Sequence, residues 1–76
     1  MNTSESISPE RLVQASIAAM KAGTEYEAEF GRFVYPADLM GHEDQPRELC
    51  EFTRTEIEEA CAFLVRLGFM EPRKAA

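Results

Sequence analysis

Residues 53–68, with the sequence TRTEIEEACAFLVRLG, contain the signals of a complete helix. Thr53 and Glu56 match the Thr-x-x-Glu capping box, and so do Thr55 and Glu58, so the helix is predicted to begin near residues 53–55. The apolar side chains recur on one face at helical spacing. They are Ile57, Ala60, Cys61, Leu64, Val65 and Leu67. Gly68 is a typical C-terminal stop.

A first helix is predicted near the N-terminus. Ser8 is a good N-cap and Pro9 fits the first helical position. One predicted core face carries the helically spaced residues Leu12, Val13, Ser16, Ile17 and Met20. Gly23 is predicted to end this helix. Residues 24–30 then form either a short second helix, opened by the capping box of Thr24 and Glu27, or a loop.

The middle of the chain is predicted to hold a strand and a short helix. Arg32-Phe33-Val34-Tyr35 is aromatic and β-branched, which favours a strand, and Phe69–Met70 is its predicted partner. Pro36 opens one or two helical turns that end at Gly41, and residues 42–46 form a loop. Residues 48–52 have no clear secondary-structure signal, and their Leu49, Cys50 and Phe52 are candidates for pinning that loop to the core. The predicted fold is mainly α, with a small two-stranded β element.

The chain is predicted to be one cytoplasmic domain. Its 76 residues suffice for a single core, and its hydrophobic and charged fractions, 45% and 29%, are typical of globular proteins. Residues 1–7 are predicted to be a disordered leader, 8–71 a compact domain and 72–76 a flexible tail. No apolar run has signal-peptide or membrane-spanning length, and two cysteines are too few for a secreted disulfide scaffold.

The order of these elements resembles the winged helix-turn-helix domains of bacterial and archaeal regulators. The resemblance covers roughly residues 9–71, with 35–40 as the second helix and 53–57 opening the third. It implies a three-helix core. Two features depart from the family pattern: residues 41–52 are inserted before the third helix, and no wing follows Glu71. DNA reading by the third helix is therefore not expected.

The acidic residues are concentrated around the start of the last helix. The whole chain has eight Lys/Arg and fourteen Asp/Glu, a net charge of −6. Residues 38–59 contain eight acidic and two basic residues, which matches that whole imbalance. The predicted partner-binding residues are Asp38, Glu43, Asp44, Glu48, Arg54, Glu56, Glu58 and Glu59. Helix capping plus a solvated loop is the alternative explanation of the same charges.

The sequence contains no recognisable catalytic or metal-binding motif. His42 is the only histidine, and it lacks Cys or His partners at metal-ligand spacing, so it is interpreted as an ordinary loop residue. There is no phosphate-binding glycine loop and no nucleophile elbow. We therefore expect a protein that is not an enzyme and needs no cofactor or metal.

Three functions are consistent with these features. The first is a small acidic protein-binding module, a regulator or inhibitor, such as those encoded by bacteriophages, that acts on the basic surface of a nucleic-acid-handling protein. The second is a winged-helix transcriptional regulator that binds DNA as a homodimer. The third is a structural or assembly subunit that is stable only as an oligomer.

Overall fold

The computed structural model describes residues 7–73, and two α-helices dominate them. Helix α1 spans Pro9–Phe30 and has 22 residues. Helix α2 spans Arg54–Leu67 and has 14 residues. At 1.5 Å per residue α1 is about 33 Å long, so it runs along most of the 41 Å longest dimension of the molecule. The mainly α prediction is confirmed.

Helix α1 begins where the sequence predicts and ends later. The Ser8 side chain accepts a hydrogen bond from the Arg11 N–H at 3.1 Å, and Pro9 occupies the first turn. The predicted end at Gly23 is wrong, because α1 continues through residues 24–30 to Phe30. A glycine ends a helix by adopting the left-handed conformation. Gly31 does so, with φ of 79°, and its N–H bonds Glu27 O.

Both predicted ends of α2 are confirmed. The Thr53 side chain accepts from the Glu56 N–H at 3.1 Å, and the Thr53 N–H donates to Glu56 Oε1 at 2.9 Å, which completes the capping box. Gly68 is left-handed, with φ of 84°. The N–H of Phe69 then bonds Leu64 O at 2.9 Å, as in a Schellman motif.

The predicted two-stranded β element is wrong. Residues 7–73 contain no strand, and the segment around Phe33 has no ladder partner. The predicted partner is Phe69–Met70, but the Phe69 N–H instead bonds Leu64 O at the end of α2. The predicted three-helix core is also wrong, because the second helix is only a 3₁₀ turn at Pro36–Leu39. A second 3₁₀ turn lies at Arg47–Leu49.

The two helices run side by side in the same direction. Arg11, near the start of α1, contacts Glu56, near the start of α2. Further along, Met20 and Leu64 line one groove. Residues 31–53 return the chain from the end of α1 to the start of α2, and both 3₁₀ turns in this connection pack against α1.

Small side chains fill much of the core. The buried apolar residues are Ala15, Ala18, Ala19, Ala22, Ala37, Leu39, Leu49, Ile57, Ala60, Cys61 and Leu64. The predicted core face of α1 is therefore largely wrong. Val13, Ile17 and Met20 are 53%, 60% and 37% exposed. The alanine face is buried instead, because small side chains let neighbouring segments approach the helix closely.

The predicted leader and tail fall mostly outside the described residues, which exclude 1–6 and 74–76. Of the leader, Ile7 is described and packs against the core. Of the tail, Pro72 and Arg73 are described, and Arg73 contacts the body of the domain through Asp38 and Glu58.

Candidate functional site

Glu56, a predicted partner-binding residue, is held in an ion pair within the domain. Arg11 donates to both of its carboxylate oxygens, from Nε at 3.0 Å and from Nη2 at 3.1 Å. The same guanidinium donates to Glu51 O at 2.6 Å and lies 4.3 Å from the centre of the Phe52 ring. The hydrogen bond from Arg11 and the capping bond from Thr53 lower the pKa of Glu56. Its carboxylate joins the starts of α1 and α2.

Asp38 and Glu58, also predicted to bind a partner, share one arginine. Arg73 Nη2 lies 2.9 Å from Asp38 Oδ1 and 3.1 Å from Glu58 Oε2. Its guanidinium lies 4.6 Å from the centre of the Tyr35 ring. Arg54, the one predicted basic site residue, lies 3.7 Å from Glu58 across one helical turn. These three predicted residues therefore form an intramolecular ion-pair network.

The remaining predicted acids lie elsewhere on the surface. Glu43, Asp44 and Glu59 are exposed, and within residues 7–73 they make no ion pair. Glu48 is close to Glu25 of α1, and sharing a proton between the two carboxyls raises the pKa of Glu25 and lowers that of Glu48. The structure thus brings only some of the predicted site together.

The loop acids meet the C-terminal half of α1 around a shallow cavity of about 320 Å³. Glu25 and Glu29 of α1 line it together with Asp44 and Glu48 of the connection. The lining is completed by Pro46, Arg47 and the aromatic pair of Tyr26 and Phe30, whose ring centres are 4.4 Å apart. This surface is predominantly negative, which favours contact with a cation.

A larger apolar surface lies on the other side of α1. We define the apolar groove as the surface lined by Ser16, Ile17, Met20, Thr24, Leu64 and Phe69. It has a volume of about 540 Å³, and Lys21 and Glu25 lie at its edge. Phe69 is 64% exposed, more than any other large hydrophobic residue described. Folding therefore leaves several large apolar side chains in contact with water.

The apolar groove continues into a second cavity of about 270 Å³. The two share Met20, Thr24 and Phe69. The second cavity is also lined by Phe33, and Glu27 and Glu71 lie at its margin. Along α1 the combined surface extends from Ser16 to Glu27, about 17 Å at the helical rise per residue. One of its ends is acidic.

The floor of the apolar groove contains one unusual polar atom. Ser16 is 7% exposed, and its hydroxyl has no hydrogen-bond partner among the described residues. A buried hydroxyl without a partner costs folding free energy, so its position here needs an explanation. Because its side chain is small, Ser16 leaves the groove deeper than a leucine at this position would.

Sequence reasoning missed the apolar groove as a site. It assigned Ile17 and Met20 to a core face, because periodicity identifies an apolar face without saying what covers it, and it assigned Phe69 to a strand. One signal was present: α1 carries two apolar stripes, an alanine stripe and a stripe of larger residues on the opposite side. The rest of the described domain covers only the alanine stripe, so the stripe of larger residues stays exposed.

Three observations concern metal binding, thiol reactivity and membrane insertion. Within residues 7–73 no group of three or more His, Cys, Asp and Glu side chains is arranged to hold a metal ion. Burial raises the pKa of the Cys61 thiol to about 11, which leaves it protonated and unreactive at neutral pH. Neither described helix combines the length and hydropathy needed to cross a membrane.

Comparison with known proteins gives no relative. No protein-family model, curated protein or solved structure matches the chain. The winged-helix resemblance accordingly stays a prediction.

Proposed function

We propose that this chain is a small acidic protein-binding module that regulates or inhibits a partner with a basic surface. The observation that carries the proposal is the apolar groove. Its Ile17 and Phe69 are 60% and 64% exposed, and both line the same groove. Contiguous exposed apolar patches with polar rims are typical of interaction sites in soluble proteins.

Charge supports a basic partner. The chain has a net charge of −6, and the combined surface has Glu25, Glu27 and Glu71 at its margin against one lysine, Lys21. Complementary charge accelerates encounter and excludes wrong partners. Proteins that handle nucleic acids present basic surfaces to phosphates, so this class of protein is the partner that we propose.

The alternative of DNA binding receives less support. It requires exposed arginines for phosphate contacts. Three of the arginines, Arg11, Arg54 and Arg73, already lie within 4.0 Å of carboxylates of the same chain. Releasing them to contact DNA would break the pairs that join α1 to α2 and Arg73 to the domain.

Affinity capture with matched variants tests the proposed function. The bait is the full chain, compared with an Ile17→Ser, Phe69→Ser double variant in which the groove is polar. Leu67→Ser is the control, because Leu67 is 52% exposed but does not line the groove. We expect a protein that is enriched by the wild type and by the control and lost with the double variant.

Two further measurements test whether charge contributes to partner binding. Purified partner should bind more weakly as salt increases, and Glu27→Gln with Glu71→Gln should reduce that salt dependence. Glu56 is unsuitable for such a test, because replacing it would also remove the capping box of α2. If no captured protein distinguishes the groove variant from the control, the proposal is wrong.

A further inference from the structure

The apolar groove has the dimensions of a helix-binding surface. Its α1 side presents Ile17, Met20 and Thr24 at spacings of three and four residues, and the exposed Val13 lies four residues before Ile17. This is the repeat by which two helices interlock. The opposite wall is formed by Leu64 and Phe69 of α2 and the turn after it. A length of about 17 Å accommodates about three helical turns.

The side chains also suit a packed helix. Val13, Ile17 and Met20 are apolar, and all three are at least one third exposed. Met20 lines both cavities and Met70 lines the second, and methionine adapts its shape to the residues packed against it. Helix-in-groove recognition uses such a row of apolar anchors.

Charge decides which helix fits. Glu25, Glu27 and Glu71 lie toward the end of the surface where both α1 and α2 approach their C-termini. Helix C-termini carry partial negative charge, which adds to that of the carboxylates. The occupant must therefore bring positive charge to this end.

A second copy of the chain does not meet this requirement. If α1 packed in antiparallel fashion on its copy about Met20, Glu27 of one copy would lie against Val13 of the other. In a parallel arrangement Glu27 would lie against its own equivalent. Either pairing places a carboxylate in an apolar or like-charged setting, and each copy adds a net charge of −6.

We propose that the apolar groove binds an amphipathic helix of another protein, whose apolar face packs between Ile17 and Phe69 and whose Lys or Arg side chains reach Glu25, Glu27 and Glu71. This inference rests on the proposed function and specifies the chemistry of the partner.

Designed peptides test the inference without knowledge of the partner. The probe is a peptide of about four helical turns with leucines at helical spacing and lysines on the remaining face. One control peptide has the same composition in scrambled order, and a second has glutamate in place of lysine. Binding is followed by amide NMR of the isotope-labelled full chain.

We expect saturable shifts at Ile17, Met20, Thr24 and Phe69, with at least about tenfold tighter binding of the probe than of either control peptide. Phe69→Ser should weaken the probe about tenfold, whereas Leu67→Ser should change its affinity less than about twofold. Both residues are exposed, and an unchanged circular dichroism spectrum checks that each variant is folded.

Three results overturn the inference. The first is equal binding of the probe and the scrambled peptide, the second is equal binding of the lysine and glutamate peptides, and the third is a groove-dependent dimer in sedimentation experiments. If lysate capture depends on the groove but the probe does not bind, the helix assignment fails and the proposed function stands. If neither depends on the groove, both fail.

Discussion

Gly23→Ala tests the course of α1 more directly than any other substitution. Gly23 lies within α1, and its φ is not in the left-handed region. Alanine is favoured over glycine by about 1 kcal/mol inside a helix. A methyl group added at Gly23 would meet Phe33 Cε1 and Pro36 Cγ, each at 3.5 Å. These are ordinary van der Waals contacts, so no steric penalty offsets the gain.

We therefore expect Gly23→Ala to raise the free energy of unfolding by about 1 kcal/mol, which corresponds to an increase in Tm of about 4–8 °C for a domain of this size. Urea denaturation followed by far-UV circular dichroism measures the change. The m-value should stay constant, because the folded structure and the surface exposed on unfolding are unchanged.

Gly31→Ala is the matched control. Its added methyl group meets nothing within 4 Å, but its φ of 79° is unfavourable for an L-residue. The same substitution should therefore destabilise the protein by about 1 kcal/mol at Gly31. If Gly23→Ala instead destabilises to the same degree, α1 ends near Gly23, as the sequence alone suggests, and the continuous helix is incorrect.

Three more predictions follow from buried or paired groups. Leu49→Ala should lower the free energy of unfolding by about 2–5 kcal/mol in urea denaturation, because Leu49 is fully buried in a turn of the connection that packs against α1. A loss below about 1 kcal/mol contradicts this packing. The exposed Cys50 should react with a thiol reagent in the native state, while the buried Cys61, whose pKa is about 11, should react only on unfolding. Glu25→Gln should raise Tm at about pH 7 and less at about pH 4. The pKa of Glu25 is raised, so its protonated carboxyl donates to Glu48 and stabilises the fold at low pH, and this bond is lost as the pH rises through that pKa. The glutamine amide donates at every pH. Equal increases in Tm at both pH values, or the same pH-dependent increase in a Glu29→Gln control, would contradict this role of the Glu25–Glu48 pair.

The sequence was sufficient to predict the helix ends formed by local contacts. Ser8 and Thr53 bond N–H groups three residues away, so their roles are visible in short motifs. Gly23 shows the limit of this reasoning, because glycine permits a helix end without requiring one. Phe33 and Pro36 pack near Gly23, at 3.5 Å from the position of an added methyl group, and this packing of a continuous helix depends on the tertiary fold.

The candidate site was predictable only in part, for a related reason. The acidic segment is visible in the composition, but the partner of Glu56 is Arg11, 45 residues away. Asp38 and Glu58 likewise pair with Arg73 from outside the segment. Charge counted along the sequence therefore overstates the charge available to a partner, since pairing across the fold neutralises part of it.

The distribution of apolar residues over α1 connects stability with function. The helix buries four alanines and exposes Val13, Ile17 and Met20, so the larger residues contribute less to folding than their size allows. Replacing Ile17 by serine should accordingly change the free energy of unfolding by no more than about 0.5 kcal/mol. A partner at one hundred times its Kd would instead add about 2.7 kcal/mol to the stability of the folded state. If Ile17→Ser hardly changes the unfolding of the free protein but abolishes this ligand-induced stabilisation, then Ile17 serves binding rather than folding.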